Sequence, residues 1–157
     1  MSHRPIIGVI GGHECTPEVA KQAETVGRLI AAQGAILVCG GLDGVMEAVS
    51  RGAKQAGGTT IGILPGNDPQ EANPYIDIPI VTGIGYARNT VIVRTAQVLI
   101  AIRGSYGTLS EIAFALMEGK TVISLGSWEV DKGIIKASSP EEAVSLAVSL
   151  IRPTSGS

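Results

Sequence analysis

The run Gln97-Val98-Leu99-Ile100-Ala101-Ile102 passes directly into Arg103-Gly104-Ser105-Tyr106-Gly107-Thr108-Leu109-Ser110-Glu111, and this junction decides the fold class. A short run apolar at successive positions reads as a strand covered on both faces, the situation of a parallel sheet. The glycine-rich turn and the apolar helix behind it give a strand–loop–helix unit. The same grammar recurs along the chain. Apolar runs at Pro5 to Ile10, Ala35 to Cys39, Thr59 to Leu64 and Thr121 to Leu125 alternate with amphipathic segments. Thr16-Pro17-Glu18 supplies a capping hydroxyl, a first-turn proline and an acid at the positive helix end. The stripe Val19, Ala23, Val26, Ile30 then predicts a helix over Pro17 to Gln33. Asp43 is expected to cap a second helix, with Met46, Val49, Ala53 and Ala56 on one face and Gly57-Gly58 as its stop. Ser139-Pro140-Glu141-Glu142 opens a last helix carrying Ala143, Ala147 and Leu150, and Arg152 to Ser157 reads as a frayed tail. Strands alternating with helices predict an α/β, Rossmann-like, doubly wound three-layer sandwich with a mainly parallel sheet. A single domain is expected over residues 1–157, its ordered core spanning about 5–151.

Composition narrows the function classes. The 157 residues are 45% hydrophobic and 17% charged, with 21 glycines and a formal net charge of -2. Such a chain has no basic field to attract a nucleic-acid backbone, so any anion must be held by local geometry. Nucleic acid is not an expected partner. Cys15 and Cys39 lack zinc-ligand spacing and suit a reducing compartment as plain thiols. The N-terminus has no signal-peptide core, and no apolar run approaches the ~20 residues of a membrane span. A cytoplasmic protein without membrane association is expected.

In a doubly wound sheet, ligands bind beyond the carboxyl ends of the strands. The loops there are Gly11 to Cys15, Gly40 to Asp43, Pro65 to Asn73 and Arg103 to Gly107. In Cys39-Gly40-Gly41-Leu42-Asp43-Gly44-Val45-Met46, adjacent glycines and a following helix start can gather backbone amides into an anion site. The same string also makes an ordinary tight turn, with Gly44 allowing close helix–sheet packing. The loop from Arg103 adds a guanidinium and two hydroxyls to its glycine amides, as a phosphate ester requires. Thr108 and Glu111 also fit a capping box, and spacing alone favours that role for Glu111. A third segment, Gly83-Ile84-Gly85-Tyr86-Ala87-Arg88-Asn89, sets an arginine and an amide at the start of an apolar helix, Thr90 to Thr95. These residues either reach an anion or form a solvated helix start. Arg94 reads as structural or interfacial. His3 and His13 lack the partners of a metal site or a triad, although His13 can touch a ligand from the first glycine loop. No metal-ligand set is expected. Gly8-Val9-Ile10-Gly11-Gly12 is not a dinucleotide fingerprint.

Taken together, Gly40-Gly41-x-x-Gly44-Val45-Met46, Arg88-Asn89 and Gly107-Thr108-Leu109-Ser110-Glu111 resemble the possible lysine decarboxylase family. That family includes the LONELY GUY phosphoribohydrolases and the molybdenum cofactor carrier proteins, and the resemblance runs from about Pro5 to Ile151. The phosphoribohydrolase branch has a PGGxGTxxE signature and an arginine-lysine pair, and it cleaves the N-glycosidic bond of nucleoside 5'-monophosphates. By resemblance, its catalytic arginine and glutamate fall on Arg88 and Glu111. This chain instead carries Arg103, Ser105 and Asn89 at the proline, second glycine and lysine of those motifs. It is more similar to the carrier branch, whose members bind the molybdopterin phosphate. The resemblance therefore implies a binding and carrier protein whose ligand is molybdenum cofactor, with cofactor-receiving enzymes as further partners. A nucleoside monophosphate phosphoribohydrolase is the alternative. The amides of Gly40, Gly41, Gly104 and Gly107, with Ser105 and Thr108, are expected to hold the phosphate. Arg88, Asn89 and Arg103 would neutralise it, and Gly11, Gly12, Gly44 and Tyr106 complete the expected ligand-binding set.

Two further expectations concern shape. The helix from Leu109 to Met117 is apolar nearly all round and Thr90 to Val93 is similar, so a homo-oligomer, dimer or tetramer as in the family, is expected through them. Pro65, Pro69, Pro74 and Pro79 predict a mostly irregular loop at the pocket rim, placed to act as a lid.

Overall fold

A computed structural model of the protein describes residues 3–151. The elements follow as β1 (Ile6–Gly11), α1 (Pro17–Ala32), β2 (Ile36–Cys39), α2 (Val45–Gln55), β3 (Thr60–Leu64), β4 (Ile78–Val81), α3 (Asn89–Thr95), β5 (Val98–Ile102), α4 (Tyr106–Met117), β6 (Thr121–Leu125), β7 (Ile135–Lys136) and α5 (Pro140–Ile151). The seven strands form one sheet in the order β4-β3-β2-β1-β5-β6-β7, and every neighbouring pair is parallel. This is the expected Rossmann-like α/β fold.

Each apolar run became a strand because its alternate residues feed two different cores. Ile7, Val9, Leu37, Val98, Ile100 and Ile102 pack with α1, α2 and α5 on one face of the sheet. Ile10, Val38, Ile63, Leu99 and Ala101 pack with α3 and α4 on the other. The strand order reverses between β1 and β5, so their carboxyl ends splay apart and open a crevice at that switch point. The helices α1 and α2 meet backbone to backbone. A Cβ on Gly27 would lie 1.9 Å from the Val49 carbonyl oxygen, and one on Gly52 1.9 Å from that of Glu24. No side chain fits at either position without driving the helices apart.

The predicted helix starts fared unequally. Thr16 caps α1 by accepting from the Val19 amide at 3.2 Å, and Ser139 caps α5 by accepting from the Glu142 amide at 3.1 Å. The helix α1 ends at Ala32, one residue short of the expected Gln33. Asp43 does not cap α2. Gly44 takes the cap position at φ 64, a left-handed conformation that turns the chain before Asp43 can reach the first-turn amides. Two strands were not anticipated. The strand β7 has two residues, and β4 lies in the proline-rich stretch, where Pro79 is tolerated because β4 forms the sheet edge. The rest of that stretch is irregular apart from a single 3-10 turn at Pro69–Glu71. The expected tail, Arg152 to Ser157, lies outside the described residues. No helix among the described residues is long and apolar enough to cross a membrane.

Candidate functional site

The crevice at the switch point is a cavity of about 450 Å³. The turn after β1 contributes Gly11, Gly12 and His13, and the turn after β2 contributes Gly40. Tyr86, Arg88 and Asn89 form another wall, and the first turns of α4 from Ser105 to Glu111 close the last one. Four segments far apart in sequence thus converge where the fold's own rule places a ligand.

Arg88 ends a short 3-10 turn, Gly85–Arg88, and its side chain is only 6% exposed. Its Nε donates to the Ile63 carbonyl at the end of β3 at 2.8 Å, and its Nη1 donates to Asn89 Oδ1. The guanidinium lies against Gly40, where a Cβ would meet Nη2 at 2.8 Å. Gly40 is therefore required for the close approach of this cation. Burial lowers the Arg88 pKa and the nearby Glu111 carboxyl acts to raise it. An arginine keeps its charge in such a setting.

Glu111 is also 6% exposed, and its pKa is pushed up to about 8 because burial outweighs the attraction of Arg88. The expected capping box is not formed. The helix α4 starts at Tyr106 with Ser105 as its cap residue, so Thr108 is already inside the first turn and Glu111 lies beyond reach of the free amides. No side chain caps this helix, which leaves its first amides open toward the cavity. Among the described residues, no side-chain hydrogen bond ends on the Glu111 carboxyl or on the Thr108 hydroxyl, and neither group is a buried polar atom left without a partner. The cavity therefore offers a buried cation, a carboxyl whose raised pKa favours the neutral form at pH 7, a hydroxyl without a side-chain hydrogen bond and a helix N-terminus. This is an anion-accepting arrangement.

Of the expected ligand residues, the structure brings together Gly11, Gly12, Gly40, Arg88, Asn89, Ser105, Tyr106, Gly107 and Thr108, with Glu111 beside them. Four others lie off the cavity. Gly41 turns away, its carbonyl accepting from the Asn73 amide at 2.9 Å and from Asn73 Nδ2 at 3.3 Å. Gly44 packs on the backbone of Gly12 and His13, and Gly104 backs Thr108. Arg103 takes φ 49, is exposed, and lies beside Gly126 and Trp128 in a separate shallow depression. Its left-handed backbone aims the side chain at the β6 turn, so it does not neutralise an anion in the cavity. None of the residues of the proline-rich stretch lines the cavity, although Pro65 and Gly66 accept from the Gly85 and Gly83 amides just before Tyr86. Asn73 ties that stretch under the Gly41 turn, donating also to the Leu42 carbonyl at 2.8 Å.

Other lining residues were missed in the sequence. Tyr86 lines the cavity at 84% exposure, and Met46, Val9 and Ile10 give it an apolar floor. An aromatic two residues before the Arg88-Asn89 pair was the available signal for Tyr86. His13 does reach the cavity, with its Nδ1 at 2.5 Å from Asp43 Oδ1, the carboxylate expected to cap α2. Among the described residues no group of three or more His, Cys, Asp or Glu is placed to hold a metal ion. Burial raises the thiol pKa of both Cys15 and Cys39, so neither is an activated thiolate.

This geometry can be set beside known proteins. The molybdenum cofactor binding protein of Rippkaea orientalis superposes with a TM-score of 0.91 at 42% identity, covering 97% of this chain and 100% of that one. The molybdenum cofactor carrier protein of Chlamydomonas reinhardtii gives a TM-score of 0.85 at 36% identity, covering 94% and 98%. A cytokinin riboside 5'-monophosphate phosphoribohydrolase of Mycobacterium marinum is 34% identical over 121 residues, which is 71% of this chain and 65% of that protein. The resemblance carried by the Gly40, Arg88 and Gly107 motifs agrees with these matches. Residues 4–151 match the SLOG cluster4 family model, and the chain belongs to that family.

Proposed function

We propose that this protein binds and carries a phosphate-bearing small molecule, and that its cargo is molybdenum cofactor. One observation carries the reading. Arg88 is a buried cation, and burial pushes the pKa of the Glu111 carboxyl up to about 8, which favours its neutral form at pH 7 and leaves the arginine's charge largely uncompensated. A buried charge in that state favours an incoming anion. In this reading the phosphate sits among Arg88, Thr108 and the open amides of α4, which line one cavity with the Gly11-Gly12 turn and Gly40. The names of the Rippkaea and Chlamydomonas proteins support the choice of cargo.

A second reading has its own support. Arg88 and Glu111 line the same cavity, and a carboxyl with a pKa of about 8 is suited to act as a general acid at neutral pH. The Mycobacterium marinum relative makes N-glycosidic hydrolysis of a nucleoside 5'-monophosphate the reaction concerned. Incubation with a panel of nucleoside monophosphates, beside a titration with isolated molybdenum cofactor, separates the two. Cofactor binding without release of free base supports the carrier. Free base released at enzymatic rates, and abolished in Glu111→Gln, rejects it.

The proposal extends to assembly. Met117 is exposed, and Val91, Phe114 and Leu116 are half-buried, leaving apolar surface on α3 and α4 for another copy of the chain. Sedimentation is expected to show a homo-oligomer at micromolar concentration, and a monomer alone would reject this.

A further inference from the structure

The chain has few aromatic residues: three tyrosines, one phenylalanine and one tryptophan. Two of the tyrosines, Tyr86 at 84% and Tyr106 at 81% exposure, line the same cavity. Each stands next to the anion-accepting wall. Arg88 and Asn89 follow Tyr86 closely in the chain, and Gly107 and Thr108 follow Tyr106. A large aromatic left open to water forgoes the burial that normally stabilises it.

Tyr106 is moreover held in place. Its ring stacks on Trp128 with centroids 6.3 Å apart and an interplanar angle of 26°, inside the range favoured by offset aromatic pairs. The indole is itself fixed, because Trp128 Nε1 donates to the carbonyl of Ser105, the residue just before Tyr106, at 3.1 Å. Tyr106 thus has one supported face and a largely uncovered surface at the cavity, preoriented before any ligand arrives. Aromatic faces are electronegative and repel phosphate, so they suit a different part of the ligand.

We propose that Tyr86 and Tyr106 form an aromatic platform at the cavity mouth on which a planar heteroaromatic ring, such as a pterin or a purine, stacks. This rests on the phosphate-binding reading above and assigns the side chains that meet the ring attached to the phosphate. The platform supplies affinity for the ring that Arg88 and the α4 amides do not.

The test compares three probes by calorimetric titration: a pterin monophosphate, guanosine 5'-monophosphate and ribose 5-phosphate, the last carrying no aromatic ring. The wild-type protein is expected to bind both ring-bearing probes about tenfold more tightly than ribose 5-phosphate, the usual scale of stacking on one aromatic side chain. Tyr106→Ala is expected to erase most of that advantage and leave ribose 5-phosphate affinity within about twofold of wild type. Tyr106→Phe should restore the advantage, because it keeps the ring and loses only the hydroxyl. The lone tryptophan gives a second readout, since a ring stacked on Tyr106 should perturb Trp128 emission while ribose 5-phosphate should not. Equal binding of all three probes by the wild type overturns the platform and leaves the phosphate site standing. Binding of none rejects both. Loss of ribose 5-phosphate affinity in Tyr106→Ala as large as the loss for the ring-bearing probes would make Tyr106 a structural residue, and would also overturn the proposal.

Discussion

Replacing Glu111 by glutamine isolates the titration on which the charge of the cavity depends. In the folded protein the Glu111 pKa is about 8, against an ordinary value of 4.5. The native state therefore holds a proton that the unfolded chain releases as soon as pH exceeds the ordinary value. The folded pKa is raised, so the associated stability is complete below about pH 4.5. It falls as pH rises toward 8 and levels off above that. The limiting slope is about 1.4 kcal/mol per pH unit, giving a loss of roughly 3 kcal/mol by pH 7 and on the order of 5 kcal/mol by pH 9. Glutamine keeps the shape of the protonated carboxyl and cannot ionise. Urea unfolding of the ligand-free protein from pH 5 to pH 9 should show wild-type stability falling relative to Glu111→Gln by about that amount, with most of the divergence between pH 5 and pH 8. Parallel stability curves for the two proteins over that range would refute the claim that Glu111 is held neutral, and with it the uncompensated charge on Arg88.

Three further outcomes follow from the geometry. Gly27→Ala should destabilise the protein by about 1–3 kcal/mol or more, measured by denaturant unfolding, because a methyl group there meets the Val49 carbonyl on α2. Arg103→Gly should leave phosphate-ester affinity unchanged and raise stability by roughly 1 kcal/mol, since it relieves a left-handed non-glycine residue outside the cavity. Thr108→Ala should weaken binding of ribose 5-phosphate by about tenfold in calorimetry, the effect of losing one hydrogen bond to a charged ligand.

The layered sheet was legible because its strands are short, apolar on both faces, and separated by capped amphipathic helices. Thr16 and Ser139 are local signals, and they decided the starts of α1 and α5. Pro79 pointed the other way. It argued against a strand, and only the edge position of β4 makes one possible there. The same division runs through the site. Glycine-rich turns after β1, β2 and β5 could be recognised, because the fold brings such strand–glycine–helix strings together at the strand ends. Spacing could not show where α4 begins. Thr108-x-x-Glu111 fits a capping box, but the turn formed by Arg103 and Gly104, both at positive φ, lets the helix start at Tyr106 and carries Glu111 into the interior. Its raised pKa comes from burial, against the opposing pull of Arg88, in an environment built by residues far apart in sequence. Arg103 was misassigned for the same reason, since its charge was visible and its backbone conformation was not. The close approach at Gly27 and Gly52 left no local trace either, because each glycine answers to a carbonyl on the opposite helix.

Under the proposed function, Arg88 provides the buried charge that holds a phosphate-bearing cargo. Calorimetric titration of wild-type protein and Arg88→Met with isolated molybdenum cofactor at pH 7 tests it most directly, with circular dichroism confirming that the variant is folded. The wild type is expected to bind saturably and Arg88→Met to lose at least tenfold in affinity, as for a charge-assisted contact in a buried site. Equal affinities for a folded variant and the wild type, or no binding by the wild type, would contradict it.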